Sequence, residues 1–337
     1  MSSVSSAPLA DLPVAAPLPL LNLAPTRYAL CGYVIDTDYP LITLERCPET
    51  AGPLGTIILR VGDVPEHIDH ANVALPGIEV SPRAVLLKAV EGSRPLGWML
   101  ARDGSEIIVA PEPGAESELE PYILGSGVGA ICLQNGFLPL HASAVVHDGD
   151  VIAFAGVSGA GKSTMGAAMA ARGCQHVTDD LAVLKIAAHE SPTLYPGPRT
   201  IKLAPDSYWA LGFDPANGAL MSPHHDKMRF TSSSALRPAQ ALKLAAIYLL
   251  ELSDDEEVTI EPVAGIRATA ALAGEIYRSG WLGPMEIFEV RMRDIAMLAR
   301  RTPCFRLRRS HRLDQLPKVV DAVLKHRETL AEREVGA

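Results

Sequence analysis

Apolar and polar residues alternate over residues 27–44 (RYALCGYVIDTDYPLITL), with Asp and Pro breaking the run, the pattern of short half-buried strands. Residues 55–61, 84–90, 98–101 and 107–109 repeat it between turn-forming residues, so a β-rich N-terminal domain of short antiparallel strands is expected over residues 26–116. The period then changes. Leu119, Tyr122, Ile123, Val128, Ile131 and Cys132 recur near helical spacing, predicting a linking helix over 117–136 in spite of its glycines.

A second unit, residues 137–335, opens on the apolar run FLPLHASAVV, which places His141 on a strand. Asp148-Gly149 reads as a hairpin turn into the buried strand 151–155. Residues 164–172 (TMGAAMAAR) are strong helix formers. Further strands are expected at 181–186, 200–203, 242–252 and 304–307, with 242–252 apolar enough to be central. Asp206 is expected to cap a short helix stopped by Gly212, and residues 264–277 to form another helix. Leu316, Val319, Val320, Val323 and Leu324 fall on one face of a closing helix. The alternation of strands and helices makes the fold class α/β.

Composition narrows the function. The 337 residues leave room for two domains, and a 48% hydrophobic content supports a sizeable core. A net charge of −9 weighs against a nucleic-acid partner. Five scattered cysteines without C-x-x-C spacing fit a reduced compartment. Residues 1–25, rich in Ala, Pro, Leu and Ser, lack a basic leading segment and read as a flexible lead-in. No apolar stretch is long enough for a membrane helix, so a cytoplasmic location without a membrane partner is expected.

The chemistry concentrates at Gly156-Val157-Ser158-Gly159-Ala160-Gly161-Lys162-Ser163, which satisfies the phosphate-loop pattern G-x-x-x-x-G-K-[ST] between a predicted strand and a predicted helix. Gly156, Gly159 and Gly161 allow a tight loop whose N–H groups, those of Ser158, Ala160 and Thr164 among them, converge on an anion at a helix N-terminus. Lys162 supplies a cation for the β- and γ-phosphates of ATP, and the Ser163 hydroxyl a ligand for Mg²⁺. Asp179-Asp180 follows one helix and one strand later. One carboxylate of such a pair can hold Mg²⁺ and the other accept the proton of an attacking hydroxyl. Arg199, Lys202, Lys227 and Arg229 are candidates to offset charge on a transferring phosphoryl group. His224-His225-Asp226 is a weak metal motif, and the basic cluster Arg300, Arg301, Arg306, Arg308, Arg309 and Arg312 reads as a solvated face.

The run from His141 to Asp180 resembles the catalytic domain of HPr kinase/phosphorylase, whose core is shared with phosphoenolpyruvate carboxykinase. A histidine, the phosphate loop, a helix ending in Arg-Gly and an Asp-Asp pair occur there in this order. The resemblance implies an HPr kinase/phosphoenolpyruvate carboxykinase-like P-loop core carrying a β-rich N-terminal module. It implies ATP–Mg²⁺ bound by Lys162 and Ser163, Asp179 as the base that activates a substrate serine, Asp180 nearer the metal, and His141 lining the site. Thr164 stands where that family carries Glu, and its later glycine-rich signature, tied to dephosphorylation, is absent. The acceptor implied is a small protein or peptide carrying a serine, and some relatives of this type phosphorylate lasso-peptide precursors. A small-molecule kinase or carboxykinase-like enzyme and a non-transferring ATP-sensing module remain open, as does a homo-oligomer.

Overall fold

The computed structural model describes residues 26–221, 226–232, 236 and 240–335, in a mixed α/β arrangement with several sheets. The predicted lead-in and the His224-His225 pair lie outside the described residues.

The first sheet holds β1 (Thr26–Leu30), β2 (Tyr33–Thr37), β3 (Gly55–Val61), β4 (Val73–Leu75), β5 (Ile78–Val80), β6 (Ala84–Glu91), β7 (Arg94–Arg102) and β8 (Glu106–Pro111). Their order is β1-β2-β3-β8-β7-β6-β5-β4. The sheet is not all antiparallel as expected, because β3 runs parallel to both β2 and β8. Parallel neighbours cannot be joined by a tight turn. The chain therefore leaves the sheet through residues 38–54, and that crossover becomes one wall of the site described below.

A helical stretch follows: α1 (Glu116–Tyr122), a widened π turn (Ile123–Gly127) and α2 (Val128–Gln134). Pro121, which has no N–H to give, precedes the widened turn. The glycines are there for close packing. A Cβ on Gly125 would lie 2.8 Å from the Tyr277 hydroxyl, and one on Gly127 would lie 2.9 Å from Met99 Sδ.

The second sheet contains β9 (Leu138–Leu140), β10 (Ala142–His147), β11 (Asp150–Ala155), β12 (Gln175–Thr178), β13 (Ala182–Lys185) and β14 (Thr193–Tyr195). A three-stranded sheet, ordered β15-β17-β16, is formed by β15 (Thr200–Leu203), β16 (Gly218–Leu220) and β17 (Met228–Thr231). The second sheet is completed by β18 (Leu242–Ser253), β19 (Thr259–Val263) and β20 (Cys304–Ser310). Its path is β12-β10-β11-β18-β14-β13-β9, with β20 beside β18 and β19 beside β20. The long apolar β18 is central and runs parallel to both β11 and β20. Asp148 and Gly149, both at positive φ, make the turn between β10 and β11.

Helices α3 (Lys162–Ala171) and α7 (Leu316–Val335) pack on one face of this sheet through Met165, Met169, Val319, Val320 and Val323. The shorter α4 (Pro205–Ala210) is not capped by Asp206, which lies inside its first turn; Ala204 holds the cap position, because Pro205 starts the helix one residue earlier. The opposite face packs on α5 (Gly265–Gly274) and α6 (Phe288–Arg301). That core continues without a break through Leu119, Ile123, Val128 and Ile131 of the helical stretch into Ile35, Ile57 and Ile107 of the first sheet. Among the described residues no helix is long and apolar enough to cross a membrane. All five cysteines are free thiols.

Candidate functional site

Strand β11 ends at Ala155, and the chain turns through Gly156–Gly161 into α3. Gly156 (φ 145°) and Gly161 (φ 87°) occupy backbone regions that residues with side chains rarely adopt. They also admit close neighbours, since a Cβ on Gly156 would lie 2.9 Å from the Leu250 carbonyl oxygen. Lys162 is the first residue of α3, and its Nζ folds back to donate to the carbonyl oxygens of Gly156 (2.6 Å) and Val157 (3.3 Å). Burial holds its ammonium below the usual lysine range, against the opposing pull of Glu275, Asp180 and Asp179. Ser158 and Gly159 are exposed at the tip, Ala160 is buried and Ser163 is half-buried. The Thr164 hydroxyl meets that of Ser207 at 3.0 Å, so its side chain ties α3 to α4.

Asp179 and Asp180 follow β12 directly. Asp179 is buried; its Oδ2 accepts the main-chain N–H of Lys202 at 3.0 Å, while Oδ1 has no hydrogen-bond partner. Burial and the adjacent charge of Asp180 push its carboxyl up to about 6, opposed by Lys202 and by a hydrogen bond from the Ser163 hydroxyl. Asp180 sits at φ 73° and turns the other way. It pairs with the Lys202 ammonium, and His141 Nε2 lies 3.6 Å from its Oδ1. Burial raises the Asp180 carboxyl, but His141 and Lys202 outweigh it and hold the group well below the ordinary carboxylate range.

His141 is not on a strand. It occupies the one-residue break between β9 and β10, where the chain passes from one part of the sheet to another. Its N–H donates to the Glu275 carbonyl at 2.7 Å, and its ring meets Tyr277 edge-on at 6.3 Å. The break lets the imidazole turn toward Asp180, which a regular strand would not.

The candidate cations separate. Lys202 is committed to Asp180, and Arg199 pairs with Glu45 and donates to the Ser232 carbonyl. Lys227 is exposed, but close enough to Lys162 to lower its proton affinity. Arg229 lines the cavity of the acid pair, and the charge of Glu120 acts on it against its burial. The basic cluster is solvated in part, with Arg300 and Arg312 exposed, and most of its members are paired. Arg306 and Arg308 pair with Glu251, Arg312 pairs with Asp314 and Glu256, and Arg301 donates to carbonyls at residues 187, 188 and 190. Arg309 is buried against the loop.

Two walls enclose the acids. One is the crossover from the first sheet, held by Glu120: this buried carboxylate accepts from Ile42 N (3.2 Å), Thr43 N (2.9 Å) and Thr43 Oγ1 (2.6 Å). The other is the segment 197–202. Thr43, Thr200 and Arg229 line both the acid cavity and a neighbouring cavity of about 340 Å³. That cavity in turn shares Thr43, Leu44 and Glu45 with one of about 650 Å³. Three adjoining cavities thus share lining residues, and the smallest of them, about 60 Å³, is the one that Asp179 and Asp180 line. Sequence reasoning missed Glu120 and Thr43, because nothing local in either stretch announces a contact across 77 residues.

No family model and no curated protein matches the chain. Among solved structures it is similar to the Hpr(Ser) kinase/phosphatase from Coxiella burnetii, at 12% identity and a TM-score of 0.31, over 58% of this chain and 98% of that one.

Proposed function

We propose that this protein is an ATP-dependent kinase that transfers the γ-phosphoryl group to a serine hydroxyl of a small protein or peptide. The observation that carries the reading is the acid pair. Behind a loop of the phosphate-binding pattern, two consecutive carboxyls that line one cavity are held in opposite protonation regimes. A base is most effective when its pKa is near the working pH, which supports Asp179 in that role. Asp180, kept ionised by His141 and Lys202, and the Ser163 hydroxyl are hard oxygen donors of the kind Mg²⁺ takes. Bound Mg²⁺ would supply neutralisation of charge at the transferring phosphoryl group.

This chain's own residues then divide the work. Loop amides and Lys162 bind the phosphates, which requires the lysine to leave the Gly156 carbonyl. Asp179 takes the proton of the acceptor hydroxyl as its oxygen bonds to the γ-phosphorus and the bond from that phosphorus to ADP breaks. Arg229, facing the same cavity, offsets charge on the moving group. The acceptor approaches Asp179 past Thr43 and Thr200, which line the acid cavity and its neighbour alike. A second reading is a small-molecule acceptor held in the adjoining cavity of about 650 Å³, which falls in the range of metabolite pockets.

The test is incubation of the purified chain with Mg²⁺ and γ-labelled ATP over an array of serine-bearing peptides. Acid-stable label on serine, lost in Asp179→Asn, supports the kinase. ATP binding with label released only as free phosphate would replace it with a sensing module, and label on a metabolite with the second reading.

A further inference from the structure

Arg309 lies on β20, whose side chains alternate between the two faces of the sheet. Arg306 and Arg308 reach Glu251 on one face, whereas Phe305, Leu307 and Arg309 point to the face covered by α3. Arg309 is 3% exposed. One terminal nitrogen donates to the Ala160 carbonyl oxygen at 2.8 Å, the other to that of Ser310 at 3.0 Å, and Nε has no partner. Among the described residues no carboxylate pairs with it, and burial alone pulls its proton affinity down. The contact with the loop is intimate: a Cβ on Gly161 would lie 2.1 Å from the guanidinium.

An unpaired buried charge destabilises the fold that carries it, so a neutral side chain would serve better as packing. The position of the charge explains its presence. The carbonyl of Ala160 and the N–H of Gly161 belong to one planar trans peptide and point in opposite directions. A guanidinium holding that carbonyl turns the Gly161 N–H away from itself. We propose that Arg309 is a positioning residue of the phosphate-binding loop, aiming the Gly161 amide at the bound polyphosphate and lending the site a buried positive charge. This rests on the nucleotide-binding reading above. The polyphosphate is then the counter-charge that Arg309 otherwise lacks.

The test compares wild type, R309M and R309K in the full chain, by calorimetric titration with ATP, ADP, AMP and inorganic tripolyphosphate and by thermal melting without ligand. R309M should melt at the same temperature or higher. It should bind ATP and tripolyphosphate about 10–100-fold more weakly, the worth of one bond to a charged group, with a smaller loss for ADP and the smallest for AMP. R309K, which keeps the charge, should recover much of the loss. An R309M that melts lower or fails to fold, unchanged ATP affinity, or equal losses for AMP and ATP would each overturn the proposal, assigning Arg309 to bracing alone. An R309K as weak as R309M would remove the charge from the argument. If the wild type bound neither ATP nor tripolyphosphate, the nucleotide-binding reading itself would fall.

Discussion

Asp179 and Asp180 share a peptide bond but not a protonation regime: burial and its neighbour's charge lift Asp179 to about 6, while His141 and Lys202 overcome burial to hold Asp180 low. Lys202 enforces the split from both ends, giving its main-chain N–H to Asp179 and its ammonium to Asp180. The pairing of Lys202 with Arg229 across β15 and β17 fixes where that lysine stands.

Stability should carry the mark of Asp179. A carboxyl raised from 3.8 to about 6 in the fold stabilises it fully below pH 3.8, and that contribution is lost as pH rises through about 6. Asp179→Asn stays neutral and keeps an oxygen for the Lys202 N–H, so the loss disappears. The nucleotide-free variant should exceed wild type by about 1–3 kcal/mol at pH 8, with the gap closing toward pH 4.5. Urea denaturation across that range measures it, and a wild type more stable at pH 8 would contradict the account. Transfer by wild type should fall as pH drops below about 6.

Lys162→Met should weaken ATP binding about 10–100-fold, as loss of a charge-assisted bond of roughly 1.5–3 kcal/mol requires. Titration calorimetry at fixed Mg²⁺ reads this directly. Affinity within threefold of wild type would mean that the lysine stays on the Gly156 carbonyl in the bound state.

Glu120 should matter to stability more than its place on a helix suggests. Glu120→Ala strips partners from Ile42 N, Thr43 N and the Thr43 hydroxyl, and should destabilise by about 2–4 kcal/mol. Glu120→Gln keeps one carbonyl oxygen for the strap and should lose less than half as much. Thermal melts of the two variants provide the comparison.

The widened turn offers a rescue experiment. Gly125→Ala places a methyl 2.8 Å from the Tyr277 hydroxyl and should cost about 1–3 kcal/mol. Tyr277→Phe removes that oxygen and leaves the ring carbon 3.8 Å away, so the double variant should regain most of the loss. Additive losses in a denaturation cycle would place the strain elsewhere.

What could be read from the residues alone was what is contiguous. The strand before Gly156, the Asp148-Gly149 turn and the apolar face of α7 are each written within a dozen residues, where period and turn chemistry decide. Parallel pairing of β2 with β3 was illegible, since alternation marks a strand but not its neighbour. Asp206 followed capping preference, and Pro205 overrode it. The arginines of β20 looked alike in sequence; only the sheet reveals that Arg309 faces inward while Arg306 and Arg308 do not. The Asp-Asp pair was conspicuous, but its electrostatics come from His141, in the break between β9 and β10, and from Lys202 on β15.

The unbroken core beneath residues 116–134 has a consequence for anyone wishing to trim this protein. Leu119, Ile123, Val128 and Ile131 are fully covered, and part of that cover comes from β7 of the first sheet. Excising the front half would uncover a greasy underside and release the strap that Glu120 anchors. A shortened version built around the glycine loop should aggregate rather than turn over, and the two halves should melt together in a single transition.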